Sequence, residues 1–174
     1  LIEEMDVRAW NIMAETFTNK AARVMESRVL SLLEGSDRTD GLSIGTFHAI
    51  CARILRREAE WTSFTRDYLI YDTSDQLAVV KMAINELNID EKKYTPRAIL
   101  SQISDAKNEL ITPEDYPAND YRGEVVRRVY TRYDQILRAN NARDFDDLLT
   151  HAVWLFLGHP DVLARYQGRY THIL

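Results

Sequence analysis

Two short stretches carry the side chains best fitted for chemistry: Phe17-Thr18-Asn19-Lys20 and Thr46-Phe47-His48. Each sets an aromatic ring beside hydroxyl, amide, ammonium or imidazole groups. Aromatic faces stack on bases without sequence preference, and short polar side chains together with helix N-termini hold phosphates. The chemistry on offer is noncovalent capture of a single nucleic-acid strand. Taken singly, Phe47 reads as a core residue and His48 as a satisfied buried histidine. The recurrence of one plan in two places moves the reading toward a strand-binding track.

Both stretches sit where a strand pattern becomes a helix pattern. Ile12–Phe17 reads as a strand that breaks at Thr16-Phe17-Thr18-Asn19. A helix over Lys20–Glu34 follows, with Ala21, Met25, Val29 and Leu32 on one side and Thr18 or Asn19 as its N-cap. Leu42–Thr46 is the second strand, and Phe47–Glu60 a helix with Ile50, Ile54 and Leu55 on one face. Gly45 admits close backbone approach or an unusual φ. Ligands of open α/β sheets lie at the carboxyl ends of the strands. Two such junctions therefore place two rings along one sheet edge.

The rest of the chain supplies the scaffold. Leu1–Val7 reads as the end of a helix and Gly35–Gly41 as a polar loop. From about Trp61 to Asn140 only helical periods occur, after a mixed segment at Trp61–Tyr71. Thr73-Ser74-Asp75-Gln76 has capping-box spacing and opens a helix with Leu77, Val80, Ile84 and Leu87 inward. Thr95-Pro96 opens the next, striped by Ile99, Ile103, Ala106 and Leu110. A long helix over Arg122–Ala139 turns Val126, Val129, Tyr133 and Ile136 inward. Asp144 is placed to cap a helix carrying Phe145, Leu148, Leu149, Ala152 and Phe156; His159-Pro160 begins a short one, and Tyr170–Leu174 is β-like. An all-helical block between strand-bearing flanks reads as an insertion into an α/β domain, dividing the chain at residues 1–60, 61–143 and 144–174.

Composition sets limits. The formal net charge of the 174 residues is −5, against the basic balance usual for domains that grip nucleic acid by bulk electrostatics. A local track within a larger assembly is compatible with it. No apolar run is long enough to span a bilayer. One cysteine, Cys51, excludes an internal disulfide framework and a Cys-cluster zinc site, and fits a reducing cytoplasm. His151, His159 and His172 lack metal-ligand spacing, and no metal site is expected. Arg53, Arg56 and Arg57 form one basic face and Arg127, Arg128 and Arg132 another, both read as solvated helix surface. No G-x-x-x-x-G-K-[ST] phosphate loop occurs, so no catalytic or nucleotide-binding residue is assigned.

Five ordered segments carry a resemblance. T-F-T-N-K-A-A-R at Thr16–Arg23 and G-T-F-H-A-I-C-A-R-I-L-R at Gly45–Arg56 resemble two DNA-contacting motifs of superfamily 1 helicases of the UvrD/PcrA/Rep type. P-R-A-I-L-S-Q-I-S-D-A-K-N at Pro96–Asn108, D-F-D-D-L-L at Asp144–Leu149 and H-P-D-V-L-A-R-Y-Q at His159–Gln167 continue it in the family's order. The resemblance implies part of a RecA-like P-loop motor domain, 1A, interrupted by a helical subdomain, 1B. It assigns Phe17, Thr18, Asn19, Lys20, Thr46, Phe47 and His48 to contacts with single-stranded DNA, and implies ATP and Mg²⁺ for the parent protein. It implies a 3′-to-5′ helicase acting on single strands and single/double-strand junctions. The family's phosphate loop is expected before Leu1 and its Asp-Glu metal pair after Leu174, so this stretch alone is expected not to hydrolyse ATP.

Two positions depart from the family pattern. Glu15 stands where an aliphatic residue is usual, putting the burial of the first strand in question, and Val24 replaces a usual glutamate. Asp144, Phe145 and Asp146 are expected to be structural, through capping and packing. Two other readings stay open: a helical protein-interaction module of helicase ancestry, and the motor piece of a helicase-nuclease. Self-association through unpaired sheet edges is the remaining partner expectation.

Overall fold

The structure, a computed structural model, describes Ile2, residues 4–33 and residues 40–174. The polar loop expected at Gly35–Gly41 lies outside the described residues except for Asp40 and Gly41, and so does Glu34. The described chain is predominantly helical with two small parallel sheets, and it separates into two compact units. The first comprises Leu1–Trp61 and Ala152–Leu174, the second Thr62–His151.

In the first unit, β1 (Ile12–Thr16) is the central strand, with β2 (Ser43–Thr46) on one side and β5 (His172–Ile173) on the other, all parallel. Ile12 and Ala14 are buried, while Glu15 is half-buried and its N–H donates to the Leu174 carbonyl at 2.8 Å. The question raised by Glu15 is thus answered: the strand stays central, and burial pushes the Glu15 carboxyl up from its ordinary pKa. Ahead of the sheet, the helix end expected at Leu1–Val7 is absent among the described residues, which turn at Ile2 and Glu4. Asp6, at φ 51°, takes the left-handed conformation that a helix cannot continue through. Gly41 (φ 80°) leads into β2, and a Cβ there would lie 2.8 Å from the Trp10 Cβ, so only glycine fits.

Helix α1 (Asn19–Leu32) follows β1, and α2 (Phe47–Arg57) follows β2. The sheltered line of α1 is Ala22, Met25 and Val29, continued by Leu33 beyond its end; Ala21 and Leu32, expected inward, face out. A spacing of three, four and four holds that line on one side, whereas the sequence pattern had fixed its start one residue early. Helix α2 buries Ile50, Ala52, Ile54 and Leu55, and ends at Arg57 before a 3₁₀ turn at Ala59–Trp61.

The second unit is built on α3 (Thr73–Glu86), α4 (Pro96–Asn108) and α5 (Tyr121–Ala139), around Val80, Ala83, Ile84, Ile99, Ile103, Val126, Val129 and Tyr133. It is not all-helical as the periodicity suggests. Leu69–Tyr71 (β3) and Ala142–Asp144 (β4) pair in parallel, Leu69 opposite Ala142 and Tyr71 opposite Asp144. Three-residue strands are too short to show a period of two, and their pairing is non-local. The cap of α3 is Asp72 rather than Thr73: its carboxylate accepts from the Ser74 and Asp75 amides at 2.8 and 3.0 Å, and Asp75 returns the bond.

Helix α6 (Phe145–Gly158) begins on a second reciprocal cap, the Asp147 amide donating to Asp144 at 2.8 Å and the Asp144 amide to Asp147 at 3.1 Å. Lys107 Nζ lies 2.6 Å from both carboxylates, and the Tyr133 hydroxyl donates to Asp144 at 2.7 Å. All four side chains are buried. Burial works against the Lys107 charge, but the two carboxylates outweigh it and hold the ammonium above its ordinary pKa. The chain closes with α7 (Pro160–Arg169), proline at its first position, leading to β5.

Candidate nucleic-acid interface

The site begins with a register. β1 and β2 run parallel with Thr16 opposite Thr46, so both strands end level and the next residues leave the sheet together. The ring centroids of Phe17 and Phe47 lie 6.0 Å apart at 46°, within the range for interacting aromatic pairs. Phe17 is 91% exposed and Phe47 45% exposed. Phe17 stands almost wholly in water at its strand's exit and Phe47 keeps nearly half of its surface there, so neither fills the fully buried role that Phe47 alone suggested.

Beneath the rings, both helices open toward the same edge. Thr18 caps α1, its Oγ1 accepting the Ala21 amide at 3.1 Å; Thr46 caps α2, accepting the Ala49 amide at 3.2 Å. The threonine hydroxyls thus fix the helix starts, leaving other first-turn amides to outside acceptors. Neither helix has an acidic residue in its first turn, so the positive ends of both macrodipoles are uncompensated locally. Asn19 and Lys20 are exposed in the first turn of α1, while His48 is half-buried in that of α2. The two stretches singled out by sequence thus form one surface of rings, amides and an ammonium group.

Gly45 shows close approach rather than an unusual φ. A Cβ there would sit 3.3 Å from Arg53 Nη2, which donates to Ser43 Oγ at 3.1 Å and to the Ile44 carbonyl at 3.3 Å. Arg53 is exposed, as its place on a solvated face implies, but its guanidinium is laid along β2. Cys51 belongs to the packing: burial first, then the Glu15 charge, push its thiol up to about 11. Sequence reasoning passed over Arg169 and Tyr170, which join Arg53 and Arg57 in lining a separate cleft. The repeat Arg165-Tyr166…Arg169-Tyr170, spaced by four, was the signal available. Among the described residues no group of His, Cys, Asp and Glu could hold a metal ion, and no helix is long and apolar enough to cross a membrane.

The chain is similar to known proteins along its whole length. It is 46% identical over 175 residues to the ATP-dependent DNA helicase PcrA of Bacillus subtilis (strain 168), and 43% identical to PcrA of Leuconostoc citreum and of Staphylococcus aureus (strain COL). These alignments take in 99% of this chain but only 23% to 24% of the relatives, so the chain spans about a quarter of their length. The family profile described as the UvrD/REP helicase N-terminal domain matches residues 1–174. The protein belongs to the UvrD/REP helicase N-terminal domain family.

Proposed function

We propose that this chain is the single-strand-contacting part of an ATP-dependent 3′-to-5′ DNA helicase of the PcrA type. Phe17 and Phe47 stack on or between successive bases. Thr18, Asn19, Lys20, Thr46 and His48, with the first amides of α1 and α2, hold the sugar-phosphate backbone. The observation that carries this reading is the 6.0 Å approach of two exposed rings over two adjacent helix N-termini. The first unit is then the motor-domain piece (1A) and the second its helical insertion (1B). ATP and Mg²⁺ are bound by parts of the parent beyond these residues, and the 174 residues alone do not hydrolyse ATP. β5 offers the more open edge for a second copy, since Arg53 already occupies the Ile44 carbonyl on β2.

Fluorescence anisotropy with a labelled single-stranded oligonucleotide tests the proposal. Binding should be weak, should fall from low to moderate salt, and should be lost in the Phe17→Ala, Phe47→Ala double variant. Equal signals from the wild-type chain and the double variant would remove the rings from the contact.

A further inference from the structure

A second recess in the first unit, of about 330 Å³, lies between β2, α2 and α7. Its lining includes Arg53, Arg57 and Arg169, the rings of Tyr166 and Tyr170, and one carboxylate, Glu26. Among the described residues none of the three guanidinium groups has a carboxylate within ion-pair distance. Arg53 donates only to neutral oxygens, Ser43 Oγ and the Ile44 carbonyl. Glu58, the nearby buried carboxylate, is already engaged by Arg165 at 2.7 Å and by the Tyr166 hydroxyl at 3.0 Å. The recess therefore keeps an excess of fixed positive charge in a protein whose net charge is −5.

One donor of a lining residue lacks an acceptor. Arg169 Nε is buried with no hydrogen-bond partner, although its backbone carbonyl is anchored by Asn11 Nδ2 at 2.6 Å. Nε itself is shielded, and no carboxylate among the described residues neutralises the guanidinium to which it belongs. The lining also narrows the chemistry of that ligand. The Tyr170 ring is already covered by the Arg169 guanidinium at 5.1 Å and by Tyr166 at 6.3 Å and 28°, which leaves little room for a base to stack. Arg53 holds the Ile44 carbonyl, so a peptide cannot use that group to add as a strand. What remains is an anion with several acceptor oxygens, matched to guanidinium forks.

We propose that this recess is a phosphate-binding site, separate from the ring pair, which takes a phosphodiester of nucleic acid or a free polyphosphate on Arg53, Arg57 and Arg169. Tripolyphosphate titrated into the 174-residue chain at constant ionic strength, followed by amide NMR, tests it. Saturable shifts are expected around Ser43–Ile44, Arg57 and Arg169, and sodium chloride should not reproduce them. The Arg57→Gln, Arg169→Gln double variant should weaken binding by about tenfold or more, with Arg169→Lys intermediate. The Phe17→Ala, Phe47→Ala variant should bind tripolyphosphate unchanged, which keeps this test apart from that of the ring site. Displacement of tripolyphosphate by an abasic oligodeoxynucleotide assigns the site to a nucleic-acid backbone; resistance to displacement assigns it to free polyphosphate. The proposal is overturned by the absence of saturable shifts at these residues, or by undiminished binding in the folded double variant. Should that variant fail to fold, the shifts mapped on the wild-type chain decide the matter.

Discussion

Thr16 and Thr46 are register partners on parallel strands, and each is followed at once by a phenylalanine. This pairing, more than any contact the rings make, brings Phe17 and Phe47 together at 6.0 Å. A strand slipped by one residue would turn one ring to the opposite face of the sheet.

The difference in exposure separates the two rings by experiment. Phe17, 91% exposed, should be replaceable by alanine with a stability change within about 0.5 kcal/mol. Loss of a base stack is worth about 1–3 kcal/mol, so oligonucleotide affinity should fall by roughly fivefold or more. Phe47→Ala should lose affinity and some stability together. Thermal melting alongside anisotropy checks this, and unaltered affinity in Phe17→Ala counts against stacking.

The buried Lys107 cluster makes a larger prediction. Lys107→Ala leaves Asp144 and Asp147 buried without their cation, and should cost about 3–5 kcal/mol in urea unfolding. Lys107→Met combined with Asp144→Asn and Asp147→Asn should recover much of that loss. Because the folded-state pKa of Lys107 is raised, its contribution is fully present below the ordinary lysine value. It is lost only as pH climbs beyond that value, so the wild-type advantage should be equal at pH 7 and pH 9, well below about 10.4.

His151 behaves in the opposite direction. Burial, then the charges of Arg143, Lys107 and Arg138, lower its pKa from 6.5 to about 3, and its ring meets Phe64 edge-on at 5.1 Å. The unfolded chain then takes up a proton that the folded chain refuses, so stability falls as pH drops from about 6.5 toward 3. His151→Gln should flatten the stability profile between pH 6 and pH 4 in chemical denaturation; an unchanged slope would mean that other groups set it.

Cys51 should be slow to react. With its thiol pushed up to about 11, the thiolate fraction at pH 8 is roughly two orders of magnitude below that of an ordinary cysteine. Iodoacetamide labelling followed by mass spectrometry should show that lag in the native state, its loss in urea, and a modest gain in Glu15→Gln.

Sequence marked helix starts better than strand pairings. Thr18, one of two cap candidates with Asn19, has a local mechanism in its hydroxyl before a run of helix formers, and that cap is present; Thr46, read only as a strand end, caps α2 as well. Local chemistry also marked the start of α4 at Thr95-Pro96. It failed where the cause was distant. Nothing around Leu69–Tyr71 signals a strand, since its partner lies some seventy residues on. Lys107 carries no local signal of burial; folding brings Asp144 and Asp147 against it from some forty residues away. Arg53 is exposed as its pattern implies, but its bonds to Ser43 and Ile44 across Gly45 have no local signal.

The pairing of β3 with β4 has a bearing on engineering. Leu69 faces Ala142 and Tyr71 faces Asp144, so the incoming and outgoing segments of the second unit run as neighbouring strands. Capped helices beginning at Thr73 and Phe145 leave that clasp from the same end. A body whose two leads are fastened together in this way is a natural cassette: it can be exchanged for another of matching lead spacing without cutting through its own interior.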